Sequence, residues 1–149
     1  MNNNKIKKRV LVFSKVKTRR KGDVRKLNND FGDYEMRTVD CLADFGINII
    51  VNKPSSIPGS KNADLTIDGA FWEIKTLLSA NDNTLNMHFK KAAKQTNGRA
   101  IFDIRFYAGP ILNIEEKILR KFIGSRSMRK MMILKNDTNG LPILVDLSK

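Results

Sequence analysis

Cysteine and histidine are nearly absent: the 149 residues include one of each, Cys41 and His88. A single cysteine excludes an internal disulfide and is typical of a reducing compartment. A single histidine excludes zinc sites built from several histidines. No apolar run approaches the ~20 residues of a membrane-spanning helix. No membrane span is therefore expected. The N-terminal residues lack the small-residue cleavage site of a signal peptide, so no leader is expected either.

Acidic residues are also scarce, with 15 Asp and Glu against 28 Lys and Arg, which gives a net charge of +13. Such a surface attracts polyanions, of which nucleic acid is the commonest and an anionic membrane face or an acidic protein the alternatives. Hydrophobic residues make up 41% of the chain, which is enough for one globular domain.

The positive charge is concentrated near the N-terminus, where residues 5–26 carry 11 of the 28 cations and one acid, Asp23. We predict that residues 1–30 form a basic arm or linker ahead of a domain spanning 31–149. As an arm, the segment would lie along phosphates through Lys15, Lys17, Arg19, Arg20 and Lys21. As a linker, it would join the domain to a larger protein.

Residues 31–149 read as an α/β domain with a mixed central sheet. Helical periodicity, β-branched runs and Gly or Asn stops predict the order helix, three strands, helix, strand, helix and two strands. The predicted helices are 33–45, 84–96 and 114–123, and the predicted strands are 47–51, 64–67, 70–76, 100–107, 128–134 and 143–147. Lys90, Lys91 and Lys94 fall on the solvent side of the second helix, and Lys90 and Lys94 are expected to bind nucleic acid.

The most informative stretch is the hairpin around Asp68-Gly69, a strong signal for a two-residue turn. With this turn Ile67 pairs with Ala70, and Asp64 lies opposite Glu73. Side chains alternate along a strand, so Glu73 and Lys75 share one face. Two carboxylates ~5 Å apart repel each other. A divalent metal, a raised carboxyl pKa or Lys75 would compensate, and Mg²⁺ or Mn²⁺ suits such oxygen ligands.

At these residues the sequence resembles the PD-(D/E)xK nuclease superfamily, whose core is restriction-endonuclease-like. The resemblance rests on Asp64, Glu73-Ile-Lys75 and the order helix, three strands, helix, strand. It implies that Asp64 and Glu73 bind a divalent metal and that Lys75 positions the attacking water. It also implies roles for Glu35 in the first helix and Gln95 in the second. Ala63 stands where the family usually has Pro, a change that removes no ligand.

A narrower resemblance covers residues 60–147 and includes Trp72-Glu-Ile-Lys-Thr76, Ala92-Ala-Lys-Gln95 and Ile101-Phe-Asp-Ile-Arg105. These segments look like bacterial polymorphic-toxin nuclease domains, including the C-terminal tRNase domains of contact-dependent growth inhibition proteins. The resemblance implies an RNA-cleaving toxin, with tRNA favoured as substrate. It further implies delivery as part of a larger secreted carrier, action in the target-cell cytoplasm and an acidic cognate immunity protein.

Three other functions fit the same residues. A metal-independent ribonuclease of the barnase/colicin/RelE-like group would use Lys75 and Thr76 with His88 or Arg105. A DNA endonuclease of the repair or restriction type would use the acids and Lys75. A nucleic-acid-binding module without activity would need only the positive surface.

Several conspicuous residues have simpler interpretations. Cys41 and Trp72 are expected in the core, and His88 is expected to pack at the rim of the second helix. A second basic cluster is either a phosphate-binding surface or a solvated face, and consists of Lys121, Arg126, Arg129 and Lys130.

Overall fold

The computed structural model describes residues 6–13, 20–79 and 81–149. In these ranges eight strands form one sheet, and three helices pack against it. The helices are α1 (Asp33–Asp44), α2 (Asp82–Thr96) and α3 (Ile111–Gly124). The strands are β1 (Lys7–Val12), β2 (Val24–Lys26), β3 (Ile49–Val51), β4 (Leu65–Ile67), β5 (Ala70–Thr76), β6 (Arg99–Asp103), β7 (Lys130–Asn136) and β8 (Pro142–Ser148).

The sheet is mixed, with the order β1-β8-β7-β6-β5-β4-β3-β2. Strands β5, β6 and β7 run parallel, as do β2 and β3, and the remaining neighbours are antiparallel. Two crossovers through α2 and α3 connect the parallel central strands, as parallel pairing requires. The predicted α/β class and the order helix, three strands, helix, strand are confirmed.

Helices cover both faces of the sheet, so its central strands are buried on both sides. One core contains Val39 and Leu42 of α1 together with Trp72, and the other contains Leu85 of α2 and Ile118 of α3. Cys41 and Trp72 are each 4% exposed, which confirms their expected burial. None of the helices in the described ranges could cross a membrane.

The β4–β5 hairpin has the predicted register. Asp68 and Gly69 both have positive φ, 51° and 76°, as the two central residues of a type I′ turn require. Leu65 pairs with Trp72 and Ile67 with Ala70. Extending this register by one residue brings Asp64 opposite Glu73, at the end of the hairpin away from the turn.

The first thirty residues contribute more than an arm. Within this segment β1 pairs antiparallel with β8, and β2 pairs parallel with β3, so the two strands form the edges of the sheet. Their pairing partners are remote in sequence, which explains why local patterns missed them. Lys15, Lys17 and Arg19 lie outside the described residues, whereas Arg20 and Lys21 are exposed and Lys21 is 3.5 Å from the Asp44 carboxylate.

Helix and strand ends differ from the predicted ones by a few residues. Helix α2 begins at Asp82 because the Asn81 side chain caps it, accepting the N–H of Thr84 at 2.9 Å. Strand β6 ends at Asp103, four residues early, because the Asp103 carboxylate accepts the N–H of Arg105 and turns the chain. Helix α3 starts three residues earlier than predicted, directly after Pro110.

Candidate active site

A cleft of about 200 Å³ opens where β4 and β5 meet the first turn of α1 and one side of α2. It brings together three of the five predicted catalytic residues, Glu35, Asp64 and Lys75, and a further one, Glu73, is buried beside them. The cleft lining consists of Asp30, Phe31, Gly32, Glu35, Asp64, Ile74, Lys75, His88 and Lys91.

Asp64 and Glu73 form the acidic base of the cleft. Asp64 is half-buried, and its Oδ2 accepts the backbone N–H of Ile74 at 3.0 Å. Glu73 is 6% exposed. Its Oε2 lies 3.2 Å from the Nζ of Lys91, whereas its Oε1 is buried without a hydrogen-bond partner in the described part of the chain. One carboxylate oxygen is therefore left without a compensating cation or donor.

The pKa of Glu73 is raised to about 8, mainly by burial and also by the negative charge of Asp64. Lys91 opposes this shift but does not cancel it. A divalent cation between the carboxylates would remove the repulsion and satisfy Oε1, so this donor pair fits Mg²⁺ or Mn²⁺. No group of three or more His, Cys, Asp or Glu able to hold a metal occurs in the described ranges. Water or substrate oxygens would complete the coordination.

Lysine and histidine side chains form the walls of the cleft. Lys75 follows Glu73 by two residues on β5, and His88 is half-buried on α2. The pKa of His88 is lowered to about 4, mainly by burial and also by the charges of Lys75 and Lys91, while the charge of Asp64 opposes the shift. His88 is thus neutral near pH 7 and lines the cleft, the position that the metal-independent alternative gives it.

Lys91 is the residue that sequence reasoning missed. It was assigned to the solvent face of α2, yet its ammonium group contacts Glu73. Burial lowers the pKa of Lys91, but the charges of Glu73 and Asp64 outweigh burial and raise it overall. The spacing shows only that His88, Lys91 and Gln95, three and four residues apart, share one side of the helix, and it does not show which side meets Glu73.

Glu35 lines the cleft, whereas Gln95 is outside its lining. Glu35 folds over Gly32, where a Cβ atom would collide with the Glu35 carboxylate, so glycine permits this approach. Gln95 does not contact the acids. Its Oε1 accepts the backbone N–H of Asn62 at 2.7 Å, and so it holds the loop that leads into Asp64.

Two residues of the metal-independent alternative face away from the cleft. The Thr76 hydroxyl lies 3.1 Å from that of Thr38 on the α1 face of the sheet. Arg105 donates from Nη2 to the fully buried Asp103 at 2.8 Å. Both therefore belong to a buried polar network between α1 and β6, and of that alternative only Lys75 and His88 line the cleft.

Lys90 and Lys94 line a different concavity, on the other side of α2 from His88 and Lys91. Its volume is about 780 Å³, and it lies between α2 and the end of α3. Lys121 of the second basic cluster also lines it and donates to the Oδ1 of Asn86 at 2.7 Å. We call this concavity, defined by Lys90, Lys94 and Lys121, the basic groove. Lys130 lines a separate cavity with Arg9 and Arg99.

The fold and the cleft define an α/β domain in which a hairpin presents two acids and a lysine at the sheet end, beside a basic helix. The chain belongs to the contact-dependent growth inhibition CdiA C-terminal domain family, whose model matches residues 61–139. It is therefore a toxin domain of the polymorphic-toxin class. The matched segment contains Asp64, Glu73, Lys75 and the whole of α2.

The fold is also found in a solved structure, described as the CdiA-CT/CdiI toxin and immunity complex from Burkholderia pseudomallei. The similarity covers 83% of this chain and 98% of that one, with a TM-score of 0.53 and 17% identity. At this identity the match supports the architecture alone. No curated protein matches the chain in sequence.

Proposed function

We propose that the domain is a nuclease that hydrolyses phosphodiester bonds of RNA, with tRNA favoured, and that this activity makes it toxic. One observation carries the proposal: in a chain of charge +13, Asp64 lines a cleft with Lys75, His88 and Lys91, and Glu73 is buried beside it in contact with Lys91. The hairpin arrangement and the order of core elements also support assignment to the PD-(D/E)xK superfamily.

Asp64 and Glu73 would hold the divalent metal, Mg²⁺ or Mn²⁺. When bound, the metal supplies positive charge for the scissile phosphate and lowers the pKa of a water molecule. Lys75, on the same strand as Glu73, positions the attacking water and offsets the negative charge that develops on the phosphate. Lys91 keeps the Glu73 carboxylate oriented through its 3.2 Å contact. Gln95 fixes the Asp64 loop, so its role is positioning.

A second candidate mechanism is cleavage without metal, and the position of His88 in the cleft beside Lys75 and Lys91 supports it. Burial lowers the pKa of His88 to about 4, so the imidazole is neutral near pH 7 and has a free nitrogen that can accept a proton. In this mechanism His88 takes the proton of a ribose 2′-hydroxyl as that oxygen attacks the neighbouring phosphorus. The bond between phosphorus and O5′ breaks, which leaves a 2′,3′-cyclic phosphate and a 5′-oxygen that takes a proton from water. Lys75 and Lys91 then stabilise the phosphate charge. His88→Asn would remove activity in this mechanism and leave most of it in the metal-dependent one.

The deciding experiment incubates the purified protein with total tRNA and with plasmid DNA, each in Mg²⁺ and in EDTA. We expect tRNA cleavage that requires Mg²⁺ and disappears in Glu73→Gln and Lys75→Ala. The matched control is Lys117→Ala, which removes a lysine that pairs with Asp82 outside the cleft. Cleavage that survives EDTA would establish the second mechanism. Cutting of DNA alone would identify a DNA endonuclease, and binding without product would identify a binding module.

Metal binding has a readout that is independent of activity. Mg²⁺ added at pH 8 is expected to raise the thermal midpoint of the wild type, because a ligand that binds only the folded state stabilises it. The midpoint of Glu73→Gln is expected to change little. An equal rise in both proteins would remove Glu73 from the metal site.

An immunity protein is the expected partner, because the Burkholderia structure is described as a toxin and immunity complex. For this chain we propose an acidic immunity protein that complements the charge of +13. Delivery within a larger secreted carrier would bring the domain to the target-cell cytoplasm. Cytoplasmic expression of the wild type should arrest bacterial growth, whereas Glu73→Gln should not. Arrest by both would separate toxicity from the cleft.

A further inference from the structure

A layered cluster of aromatic and arginine side chains lies where α1 meets the chain that follows β6. The rings of Tyr34 and Phe106 meet edge to face, with their centres 5.6 Å apart. The Arg37 guanidinium lies 5.1 Å from the Tyr34 ring centre and 5.7 Å from that of Phe106. Arg105 approaches Phe106 from another side at 5.0 Å. We call Tyr34, Arg37 and Phe106 the stacking cluster.

The cluster is exposed on one side and anchored on the other. Tyr34 and Phe106 are 40% and 36% exposed, and Arg37 is exposed as well. Arg105 is nearly buried, held by the Asp103 carboxylate and donating to the backbone carbonyl of Arg37 at 3.2 Å. The buried side of the cluster is held in place, while its aromatic rings and the Arg37 guanidinium are exposed to solvent. In a core packing contact these groups would be covered.

The chain connections place the backbone of the cluster near residues that line the cleft. Tyr34 directly precedes Glu35, so their Cα atoms are about 3.8 Å apart, and Glu35 lines the cleft. In the sheet Thr76, the residue after Lys75, pairs with Asp103, and Phe106 follows Asp103 by three residues along the chain. A polynucleotide with one phosphate in the cleft would therefore have a neighbouring nucleotide near the cluster.

We propose that the stacking cluster is a nucleobase subsite that holds an unpaired base of single-stranded RNA next to the phosphate in the cleft. Unstacked bases bind aromatic faces and arginine planes, the groups that this cluster presents. The Arg37 charge also attracts the RNA backbone. The inference rests on the proposed nuclease function and adds its substrate class, an RNA segment outside a regular duplex.

The test measures the affinity of fluorescein-labelled eight-nucleotide RNA for Glu73→Gln, which keeps the RNA intact. A series of such RNAs lacks the base at one position at a time. Arg37→Lys keeps the charge and removes the planar group. Phe106→Leu keeps apolar volume and removes the ring. The matched control is Ile123→Ala, a 62% exposed side chain on α3. Thermal unfolding verifies that each variant is folded.

Removal of one particular base is expected to weaken binding by at least about fivefold, the lower end of measured base stacking. Arg37→Lys and Phe106→Leu should weaken binding of the intact RNA about as much as removal of that base does. In these variants, removal of the same base should cause no further loss of affinity. Ile123→Ala should behave like its parent. A DNA oligonucleotide of the same sequence, bound equally well, would overturn the choice of RNA.

Equal losses from base removal in the variants and in their parent would overturn the subsite. A cluster that only packs α1 against the β6–α3 connection, or that binds a partner protein, gives this result. Cleavage of tRNA by the wild-type chain tests the proposed function separately. If the wild type cleaves tRNA but base removal and side-chain replacement lower affinity independently, the subsite proposal is wrong and the proposed function stands. If the wild type does not cleave tRNA, the proposed function is wrong.

Discussion

The protonation of Glu73 links the stability of the metal-free domain to pH. Its pKa of about 8 lies above the usual 4.5, so the folded state binds this proton more tightly than the unfolded chain does. The free energy of unfolding therefore falls as pH rises from about 4.5 to about 8. The charged groups that face Glu73 are Asp64 and Lys91. Both remain in the Glu73→Gln variant, which removes only the titrating carboxyl group of Glu73.

We expect the stability of Glu73→Gln relative to the wild type to increase with pH across this window. Urea unfolding in EDTA at pH 5, 6.5 and 8.5 measures the difference. A difference that stays constant across the three pH values would contradict the raised pKa of Glu73.

His88 shifts stability in the opposite direction. Its pKa of about 4 lies below the usual 6.5, so stability from the neutral ring is present above pH 6.5 and is lost as pH falls toward 4. Because the chain has one histidine, its ring protons give a single assignable NMR titration. We expect a midpoint near 4 in the wild type, rising in Lys75→Ala as one repelling charge is removed. A wild-type midpoint near 6.5 would show that the ring is solvated and free of these charges.

At the scale of elements, α2 serves the site through one side and the groove through another. Gln95 fixes the loop before Asp64, and we expect Gln95→Ala to lower kcat about tenfold while the fold persists, because small misplacements of a catalytic group are costly. Gln95→Glu, which keeps the acceptor oxygen for Asn62, should restore most of kcat. Steady-state kinetics on tRNA measures both. A purely structural role would lower the thermal midpoint in Gln95→Ala without changing kcat.

The hairpin was the part of the site that could be predicted from sequence. Two turn residues, Asp68 and Gly69, determine the register, and the alternation of a strand then places Asp64, Glu73 and Lys75. The contact of Lys91 depends on how α2 crosses β5, which the helical pattern does not contain. The helix has three lysines with similar spacing, so local patterning alone could not select the one that meets Glu73.

The strands β1 and β2 were equally hard to predict. Cations occupy half of β1, Lys7, Lys8 and Arg9, and mask the apolar signal of Val10 to Val12. Such charges are suited to an edge strand, where they discourage pairing with another sheet. Helix, strand and turn signals are local and were sufficient for the central elements, whereas edge strands are defined by partners elsewhere in the chain.

For the whole molecule, the charge of +13 makes RNA binding dependent on salt. Each phosphate contact releases counterions, so affinity falls steeply as salt increases. Replacing Lys90 and Lys94 together by Gln should reduce the slope of log K against log salt by about 1 to 2. The control replaces Lys117 and Arg120, which already pair with Asp82 and Glu116. Equal slope changes in the two double variants would show that the groove has no special role.

Strand β1 has a consequence for how the chain acquires its structure. Arg9 contacts Asp146, a separation of 137 residues, so one edge of the sheet joins the first and last described strands. Contacts of this range carry the largest loop-closure entropy and form slowly. The central hairpin and the α2 and α3 crossovers can assemble before them. A chain that emerges or refolds gradually therefore leaves β1 unpaired until residues up to Ser148 are free, and pairing of β1 with β8 completes the sheet only after its centre has formed.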